Sequence, residues 1–381
     1  MAEYLQYVAP VVPVPWYPQD TARKLMGAWI GGDRRTDRLL ARIYQHSGIE
    51  RRHSVLEDFL EGAPPALAGG LASPLAPARA GGGFFSDDAG GLRNPGTAER
   101  NDRYRSEAGP LFVEAGRQAL AGAIGHHARD VTHVVTVSCT GFYAPGPDLD
   151  VVHGLGLAPS VERYHLGFMG CYAAFPALRM ARAFCRADRN AVVLIAAVEL
   201  CSLHLQPSRD VDTIVAASVF ADGAVGAVVS ARPPTGPALR LDAFHDDLAP
   251  EGASDMAWTL GDQGFRMVLS SYVPSIVGAK AESAIAPLLS RSGLDRCDVG
   301  RWAVHPGGRA ILDRLEDGLE LEPDALSTSR RVLAEYGNMS SVTVLFVLAE
   351  CLAQAGQPDE PIVAVAFGPG LTVASGLLRR A

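Results

Sequence analysis

One cysteine of this chain lies in a setting that favours nucleophilic chemistry. Cys171 lies in the segment 167–174, which contains two glycines and separates an extended stretch at 161–166 from a helical pattern over 172–187. A thiol in the first turn of a helix lies at the positive end of the helix dipole, which lowers the thiol pKa and raises the thiolate fraction. We therefore predict that Cys171 is a nucleophile, with a buried structural cysteine as the alternative.

Two further polar residues occur at the ends of predicted elements. His305 follows an apolar run and precedes two glycines, and Asn338 lies just before an apolar helix predicted at 342–352. Taken singly, His305 fits a hydrogen-bonded structural residue, and Asn338 fits a helix cap. Together with Cys171 they supply a thiolate, an imidazole that stabilises it and donors for a developing oxyanion. This is the set of groups that thioester chemistry requires.

Composition and charge narrow the class of protein. The 381 residues carry a net charge of −8, with 48% hydrophobic and 20% charged residues, as in ordinary soluble globular proteins. This charge disfavours a nucleic-acid partner, and an anionic ligand requires a local basic patch. The six cysteines form no C-x-x-C pair and no metal-ligand spacing, which predicts a reducing cytoplasm and no metal site. Without a signal peptide or a long apolar run, no stable membrane insertion is expected.

Apolar runs alternate with helical periodicity along the chain. The runs at 131–138 and 191–198 predict buried strands, and the patterns at 97–125 and 272–290 predict helices. Alternating strands and long helices are typical of an α/β fold whose sheets are covered on both faces.

Turn signals divide this pattern further. Asp222–Gly223 and Gly368–Pro369–Gly370 each lie between apolar runs and predict hairpin turns, and the Ala-, Gly- and Pro-rich segment 61–96 predicts a long loop. A joint rich in Pro and Gly at 231–237 predicts two domains, an N-terminal half with the cysteine and a C-terminal half with the histidine and asparagine. Their ranges are 1–235 and 236–381.

Four separated motifs resemble the type III polyketide synthases, the chalcone-synthase-like branch of the thiolase superfamily. They are the segment around Cys171, HPGG at His305, GNMSS at Asn338 and GPGL from Gly368, and they occur in the order typical of that family. The resemblance runs from about residue 45 to the C-terminus. Within the family, GFMGCYAAF and the ELCSLH that begins at Glu199 are most similar to bacterial alkylresorcinol and alkylpyrone synthases.

The resemblance implies both a fold and a reaction. It implies a five-layered αβαβα thiolase-like fold, a homodimer and a catalytic triad of Cys171, His305 and Asn338. The implied activity is that of an acyltransferase, which condenses malonyl-CoA iteratively and with decarboxylation onto an acyl-CoA starter held on cysteine. The bacterial enzymes that it resembles extend long-chain fatty acyl starters, which predicts a phenolic lipid, either an alkylresorcinol or an alkylpyrone. No cofactor beyond the CoA thioesters is expected.

The resemblance also assigns residues to the substrate pocket. Phe220 matches a gatekeeper aromatic residue, and Met267 replaces a second gatekeeper, a phenylalanine. Trp258 replaces a glycine and is expected to block one direction of the cavity. Ala144 lies where plant relatives insert a methionine into the site of the partner. The other assigned pocket residues are Cys139 and Cys201, which replace small hydroxylic residues, together with Thr140 and Ser340. Soft, narrow side chains suit an apolar tunnel for an alkyl chain better than an aromatic starter.

The CoA site implied by the resemblance consists of Arg51, Arg52 and Ala310. The two arginines match a basic stretch that contacts CoA phosphates in the family, although His46 replaces one lysine there. A solvated helix end is the alternative interpretation of this pair of arginines.

Other protein classes also use cysteine, histidine and asparagine. A papain-like peptidase is disfavoured because the sequence around Cys171 lacks the signature of those enzymes. A non-catalytic acyl-binding dimer is disfavoured because all three residues are present. A ketoacyl synthase III-like enzyme of fatty-acid initiation stays open as the alternative. It takes its extender from an acyl carrier protein, so the ability of malonyl-CoA alone to extend the chain distinguishes the two.

Overall fold

The computed structural model describes residues 2–31, 33–59, 83–86 and 91–381. Its helices are α1 (Gln19–Ile30), α2 (Arg34–Gln45), α3 (Thr97–Gly122), α4 (Pro147–Leu155), α5 (Ala174–Ala187), α6 (Val211–Val219), α7 (Val273–Arg291), α8 (Arg309–Gly318), α9 (Ser327–Tyr336) and α10 (Thr343–Ala353). Its strands are β1 (Tyr4–Val11), β2 (Trp16–Pro18), β3 (Arg51–His53), β4 (His133–Ser138), β5 (Glu162–Gly167), β6 (Val192–Leu200), β7 (Asp222–Ser230), β8 (Leu239–Leu248), β9 (Met256–Gly261), β10 (Gly264–Leu269), β11 (Arg301–Val304), β12 (Pro361–Gly368) and β13 (Thr372–Arg380). Most of the loop predicted at 61–96 lies outside the described residues.

Nine strands of the described residues form one continuous sheet, in the order β11-β12-β13-β8-β1-β7-β6-β4-β5. β4 pairs in parallel with β5 and β6, and β11 pairs in parallel with β12, whereas the other neighbours are antiparallel. The sheet consists of two groups of strands, one of β5, β4, β6, β7 and β1 and the other of β8, β13, β12 and β11. The two groups meet where Tyr4 and Leu5 of β1 pair with Arg240 and Leu239 of β8. All residues of β6 and β7 are buried, as expected for strands that are covered on both faces.

Helices cover these strands in layers. α3 packs against β1, β6 and β7, whereas α7 packs against β8 and β13 and also against α8. α5 and α10 each contact strands of both groups, α5 through β6, β7, β8 and β13 and α10 through β1, β11 and β12. The order of layers is therefore helix, the group of strands that contains β6, helix, the group of strands that contains β13, and helix, and the predicted five-layered α/β fold is confirmed.

The two central helices bury apolar side chains against the strands that they contact. In α10, all residues from Thr343 to Leu348 are buried, and in α5 the buried side chains include Phe175, Leu178, Ala181 and Cys185. α10 is apolar around most of its circumference, as is typical of a helix buried in the core. The residues that precede these two helices are Cys171 and Asn338, so the central layer positions two of the three candidate catalytic residues.

One of the two predicted hairpins is correct and the other is wrong. Gly368–Pro369–Gly370 joins the antiparallel strands β12 and β13, and Gly370 has a φ of 73°. Asp222 and Gly223 instead begin strand β7 and are buried. A Cβ at position 223 would lie 2.3 Å from Sδ of the buried Met339, so the packing of this side chain favours glycine there. The Asp-Gly pair therefore reflects packing inside the core rather than a turn.

Candidate active site

Cys171 lies at a sharp turn between strand β5 and helix α5. The chain passes from Gly167 through Phe168, with a φ of 62°, and Gly170, with a φ of 73°, before a short 3₁₀ turn leads to Ala174. A Cβ at position 170 would lie 2.4 Å from Cδ of Pro369, in the turn between β12 and β13. Glycine is required there both by its backbone conformation and by this contact.

His305 directly follows β11 and extends its pairing, since its N–H donates to the Val365 carbonyl at 2.8 Å. The residue is buried, with 1% of its surface exposed, and neither ring nitrogen has a hydrogen-bond partner among the described residues. Buried polar atoms without partners are rare in folded proteins. An imidazole in this state is available to a ligand.

Asn338 is fixed by both its backbone and its side chain. Its N–H donates to the Val219 carbonyl at 2.8 Å, and its carbonyl accepts from the Ala221 N–H at 2.9 Å. Its side-chain Nδ2 donates to the Gly307 carbonyl at 3.1 Å, and its Oδ1 accepts from the Ser340 N–H at 2.9 Å. Because Gly307 belongs to the turn after His305, this hydrogen bond links the two candidate residues.

All three residues line one cavity of about 260 Å³. The cavity walls come from both groups of strands, and no acidic residue is among the described residues that line it. The sequence-assigned pocket residues that also line it are Cys139, Thr140, Cys201, Phe220, Trp258, Met267 and Ser340.

Four assigned residues do not line this cavity. Ala144 is exposed, in the loop before α4, and Ala310 is exposed in the first turn of α8. Arg51 is half-exposed, lies 3.5 Å from Glu335 and stacks its guanidinium over Trp16. The expectation of a CoA phosphate contact is wrong for Arg52, which is only 1% exposed.

The burial of Arg52 has a clear physical reason. Its Nη1 donates to the carbonyls of Ala217 and Phe220, at 2.8 and 2.7 Å, at the C-terminal end of α6. Its guanidinium also lies 5.4 and 6.0 Å from the ring centres of Tyr17 and Tyr44. A cation at this end of a helix is favoured by the helix dipole. Arg52 therefore stabilises the wall of the cavity instead of reaching into solvent.

The environment of Cys171 contradicts the predicted lowering of its pKa. Burial raises the pKa of the thiol to about 12, although the Ser340 hydroxyl, whose Oγ lies 3.5 Å from Sγ and can donate to a thiolate, opposes that effect. Burial likewise lowers the pKa of His305 to about 3. Desolvation disfavours the charged form of each group separately. Burial therefore favours the neutral form of each of these two groups taken singly.

A buried carboxyl group beside the cavity was not predicted as a site residue. Glu199 accepts hydrogen bonds from the Cys139 N–H at 3.0 Å, from Thr140 Oγ1 at 3.1 Å and from the Ser341 hydroxyl. Burial raises the pKa of Glu199. The feature of the sequence that could have indicated this site residue is a single charged residue near the end of the apolar run that forms β6.

The carboxyl group of Glu199 connects to Cys171 through two side chains. Cys139 Sγ lies 3.4 Å from Glu199 Oε2 and 3.2 Å from Ser340 Oγ, which is the atom that Cys171 contacts. The side chains of Glu199, Cys139, Ser340 and Cys171 therefore form a continuous polar chain that leads to the cavity.

Part of the cavity wall is aromatic. Phe265 stacks on Trp258 and on His204, with ring centres 4.8 and 4.0 Å apart, and Phe168 packs against Trp258 at 4.9 Å. His204 was not predicted to line the cavity. Its Nε2 lies 2.7 Å from the Thr140 carbonyl, and burial lowers its pKa to about 4. It is therefore a neutral, hydrogen-bonded wall residue.

The described part of the chain contains no cluster of side chains suited to a metal ion. No helix within it is long and apolar enough to cross a membrane.

Comparison with protein families agrees with this geometry. The N-terminal domain model of the chalcone and stilbene synthases matches residues 92–233, and the C-terminal domain model matches residues 240–381. The chain belongs to the type III polyketide synthases. Members of this family use malonyl-CoA and acyl-CoA thioesters and need no cofactor beyond these substrates. The family resemblance seen in the four motifs is confirmed.

This polyketide synthase has relatives in plants and bacteria. It is 35% identical over 352 residues to bisdemethoxycurcumin synthase of Oryza sativa subsp. japonica, across 88% of this chain and 82% of the relative. It is 33% identical over 290 residues to the alpha-pyrone synthesis polyketide synthase-like Pks18 of Mycobacterium tuberculosis (strain ATCC 25618 / H37Rv), across 74% and 73%.

Solved structures of this family share the fold of the polyketide synthase over its full length. PKS-I from the brown alga Ectocarpus siliculosus superposes with a TM-score of 0.88 at 29% identity, covering 100% of this chain and 98% of that one. The 1,3,6,8-tetrahydroxynaphthalene synthase from Streptomyces coelicolor A3(2) superposes with a TM-score of 0.83 at 27% identity, covering 99% of each chain.

Proposed function

We propose that this polyketide synthase carries its acyl chain on Cys171, with His305 and Asn338 as its catalytic partners. The observation that carries the proposal is that these three side chains line one cavity although they come from separate turns. The Cys171 thiolate attacks the thioester carbonyl of an acyl-CoA starter, and a new C–S bond forms. The bond to the sulfur of CoA breaks, and CoA leaves as a thiol with the proton from the His305 imidazolium.

The same two partners act in the extension step. Malonyl-CoA binds with its thioester carbonyl oxygen facing the donors of His305 and Asn338. Loss of CO₂ leaves an enolate whose charge these donors stabilise, and one such donor typically contributes about 100- to 1000-fold in rate. The enolate attacks the acyl–Cys171 thioester, a C–C bond forms and the bond to Cys171 Sγ breaks, which leaves a β-ketoacyl-CoA and a free Cys171 thiolate. That thiolate then attacks the new thioester, so that the extended chain returns to Cys171 and CoA leaves as a thiol. Decarboxylation supplies the carbanion, so no carboxylate base is required in a cavity whose described lining has no acidic residue.

We propose a long-chain fatty acyl group as the starter. The cavity lining is rich in thiol, thioether and aliphatic side chains, among them Cys139, Cys201, Met256 and Met267, and such adaptable groups suit an alkyl chain. The similarity to the alpha-pyrone synthase Pks18 supports a product of the same type. Ring closure through oxygen gives an alkylpyrone, whereas aldol closure and decarboxylation give an alkylresorcinol, a phenolic lipid.

The proposal includes a homodimer in the cytoplasm. Ala144 is exposed and does not line the cavity of its own chain, as expected for a residue that faces the partner. Arg51 and Ala310 remain the proposed CoA contacts, and residues 1–235 and 236–381 the proposed domains. Equilibrium ultracentrifugation tests the dimer, and a monomer at micromolar concentration contradicts it.

The activity is tested with a series of acyl-CoA starters of increasing length and isotopically labelled malonyl-CoA, with products identified by mass spectrometry. We expect medium and long alkyl chains to give pyrones or resorcinols at higher kcat/KM than aromatic starters. Cys171→Ala should abolish acyl loading, whereas His305→Ala and Asn338→Ala should lose malonyl-CoA decarboxylation. Cys297→Ala is the matched control, because Cys297 is exposed and does not line the catalytic cavity. Full turnover by Cys171→Ala would exclude the proposed nucleophile.

A further inference from the structure

The hairpin of β9 and β10 forms a small two-stranded sheet that is separate from the nine-stranded one. Trp258, Phe265 and Met267 of this hairpin line the catalytic cavity, and Trp258 and Met267 lie directly opposite each other in its pairing. A two-stranded hairpin is at best marginally stable by itself. The position of this part of the cavity wall therefore depends on how the hairpin is attached to the rest of the protein.

The first residue of α3 holds the tip of the hairpin, at residues 261–264. The Thr97 N–H donates to the Asp262 carbonyl at 2.8 Å. The Thr97 hydroxyl donates to the Gly261 carbonyl and accepts from the Gly264 N–H, the latter at 2.7 Å. One residue therefore satisfies three backbone groups of the same turn. Thr97 is not among the described residues that line the cavity.

The segment that follows β6 holds the hairpin from another side. Gln206 Nε2 donates to the carbonyls of Gln263 and Phe265, both at 3.2 Å, and His204 Nδ1 accepts from the Phe265 N–H at 3.3 Å. We call Thr97, His204 and Gln206 the tip anchor. The hairpin tip is thus fixed by two parts of the chain that are distant in sequence.

Arg100 connects the two parts of the tip anchor. It is buried in the first turn of α3, and its Nη1 donates to the carbonyls of Leu203 and Leu205, the latter at 2.9 Å, in the segment that carries the other two anchor residues. Gly264 has a φ of 95°, and a Cβ at this position would lie 2.7 Å from Cδ of Arg100. Glycine therefore allows the tip to lie directly against α3.

We infer that the tip anchor determines which acyl starters the cavity accepts, because it holds the hairpin against the cavity and so limits the length of the chain. This inference rests on the proposed function, since it concerns the alkyl starter of that reaction. At about 3.3 Å per residue, Trp258 lies about 10 Å along β9 from Gly261, so a displaced tip moves this part of the wall. Thr97 is therefore a positioning residue that acts on substrate through the hairpin.

The test compares kcat/KM for octanoyl-CoA and hexadecanoyl-CoA, each with malonyl-CoA, in the wild type and in Thr97→Val. Valine keeps the shape of the side chain and removes the hydroxyl. The ratio of kcat/KM for the long starter to that for the short one should rise at least about 10-fold, because one methylene at a cavity wall is typically worth that much. This ratio does not depend on the fraction of enzyme that is folded. Thr97→Ser retains the hydroxyl and should restore the wild-type ratio.

Thr132→Val is the matched control. The Thr132 hydroxyl also donates to a carbonyl and accepts from an N–H, both of Val192, at 3.1 and 3.0 Å. Thr132 is half-buried like Thr97 and is not among the described residues that line the cavity. The control variant should keep the wild-type ratio.

Hydrogen–deuterium exchange gives a second measurement that does not require activity. The peptide that contains residues 256–269 should exchange faster in Thr97→Val than in the wild type or Thr132→Val, because the Gly264 N–H loses its acceptor and the hairpin opens more readily.

The alternative outcomes are distinguishable. An unchanged ratio in Thr97→Val contradicts the inference and leaves the proposed function intact, even where the hairpin exchanges faster, since the anchor then holds the hairpin without affecting selectivity. An equal rise of the ratio in Thr132→Val contradicts it as well, because the effect is then one of general destabilisation. A wild type that extends neither starter contradicts the proposed function itself.

Discussion

At the scale of single residues, the candidate active site holds two groups that burial drives toward their neutral forms. Burial raises the pKa of Cys171 and lowers that of His305. The helix dipole alone does not overcome this desolvation, because it is typically worth only 0.3–1 kcal/mol. Transfer of the thiol proton to the imidazole creates both charges at once, and their attraction is strong in the same low-dielectric cavity. Reactivity of the thiol should therefore depend on the histidine.

This dependence predicts two different pH profiles for alkylation of Cys171. In His305→Gln the thiol keeps a pKa of about 12, so its thiolate fraction and alkylation rate should rise about tenfold per pH unit between pH 7 and 10. In the wild type the rate should be higher at pH 7 and rise less steeply, because His305 retains the proton. Iodoacetamide labelling followed by peptide mass spectrometry measures the alkylation rate of Cys171 in both proteins, with Cys171→Ala as the blank. Identical profiles would show that His305 does not take the proton.

The buried carboxyl group of Asp222 gives a prediction about the stability of the protein. Asp222 accepts hydrogen bonds from the Val55 and Ser202 N–H groups and from the Ser202 hydroxyl, yet burial raises its pKa from 3.8 to about 6. Because the folded pKa is the higher one, the protein takes up a proton on folding between these pH values. The contribution of Asp222 to stability should fall by about 3 kcal/mol as the pH rises from below 4 to above 6.

Asp222→Asn should remove this pH dependence while retaining an oxygen that can accept from the Ser202 N–H. Urea denaturation between pH 4.5 and 7.5 measures the free energy of unfolding of both proteins. We expect the wild type to lose stability relative to the variant as the pH rises through 6. A difference between the two proteins that does not change with pH contradicts the raised pKa.

At the scale of elements, the cavity wall depends on how the end of α6 is held. Arg52 binds the carbonyls of Ala217 and Phe220, and the adjacent Val219 and Ala221 hold the backbone of Asn338. The long side chain of Arg52 therefore acts on Asn338 through the chain segment between them. This makes Arg52 a positioning residue rather than a contact of substrate.

Arg52→Met should therefore affect stability and one step of catalysis. Two buried carbonyls lose their donor, at a cost of about 1–3 kcal/mol each. Displacement of Asn338 should lower kcat for malonyl-CoA decarboxylation more than it raises KM for malonyl-CoA. Arg52→Lys keeps a cation at the helix end and should recover part of both losses. A rise in KM for CoA thioesters with unchanged kcat would instead support the phosphate contact implied by the sequence.

The elements that were predicted correctly are those whose sequence pattern reflects local burial. The β-branched run at 131–138 became β4 (His133–Ser138), and the pattern at 272–290 became α7 (Val273–Arg291). The prediction failed where distant groups decide the structure. Asp222 starts a strand because Val55 and Ser202 satisfy its carboxylate, and no local pattern reports such partners. The burial of Arg52 is similar, since a pair of arginines resembles a surface segment until α6 packs over it.

At the scale of the whole molecule, the active site exists only where the two groups of strands meet. Cys171 and Phe220 come from the N-terminal half, and Trp258, His305 and Asn338 come from the C-terminal half. The three catalytic candidates could be identified from sequence because each lies at a glycine-flanked turn. The polar chain through Glu199 and the aromatic wall around Phe265 could not, because they arise from packing between elements that are distant in sequence.

We expect the aromatic wall to limit the length of chain that the cavity can hold. Trp258 packs between Phe168 and Phe265 and lines the cavity, so Trp258→Ala should open space in which additional methylene groups are buried. Each buried methylene is worth about 0.8 kcal/mol, so the starter with the highest kcat/KM should become longer by at least about two carbons. Trp16→Ala is the matched control, because Trp16 is about half exposed and lies outside the cavity. The starter series measures the shift. An unchanged or shorter optimum in Trp258→Ala would show that another wall, most directly that of Met267 and Phe220, limits the chain.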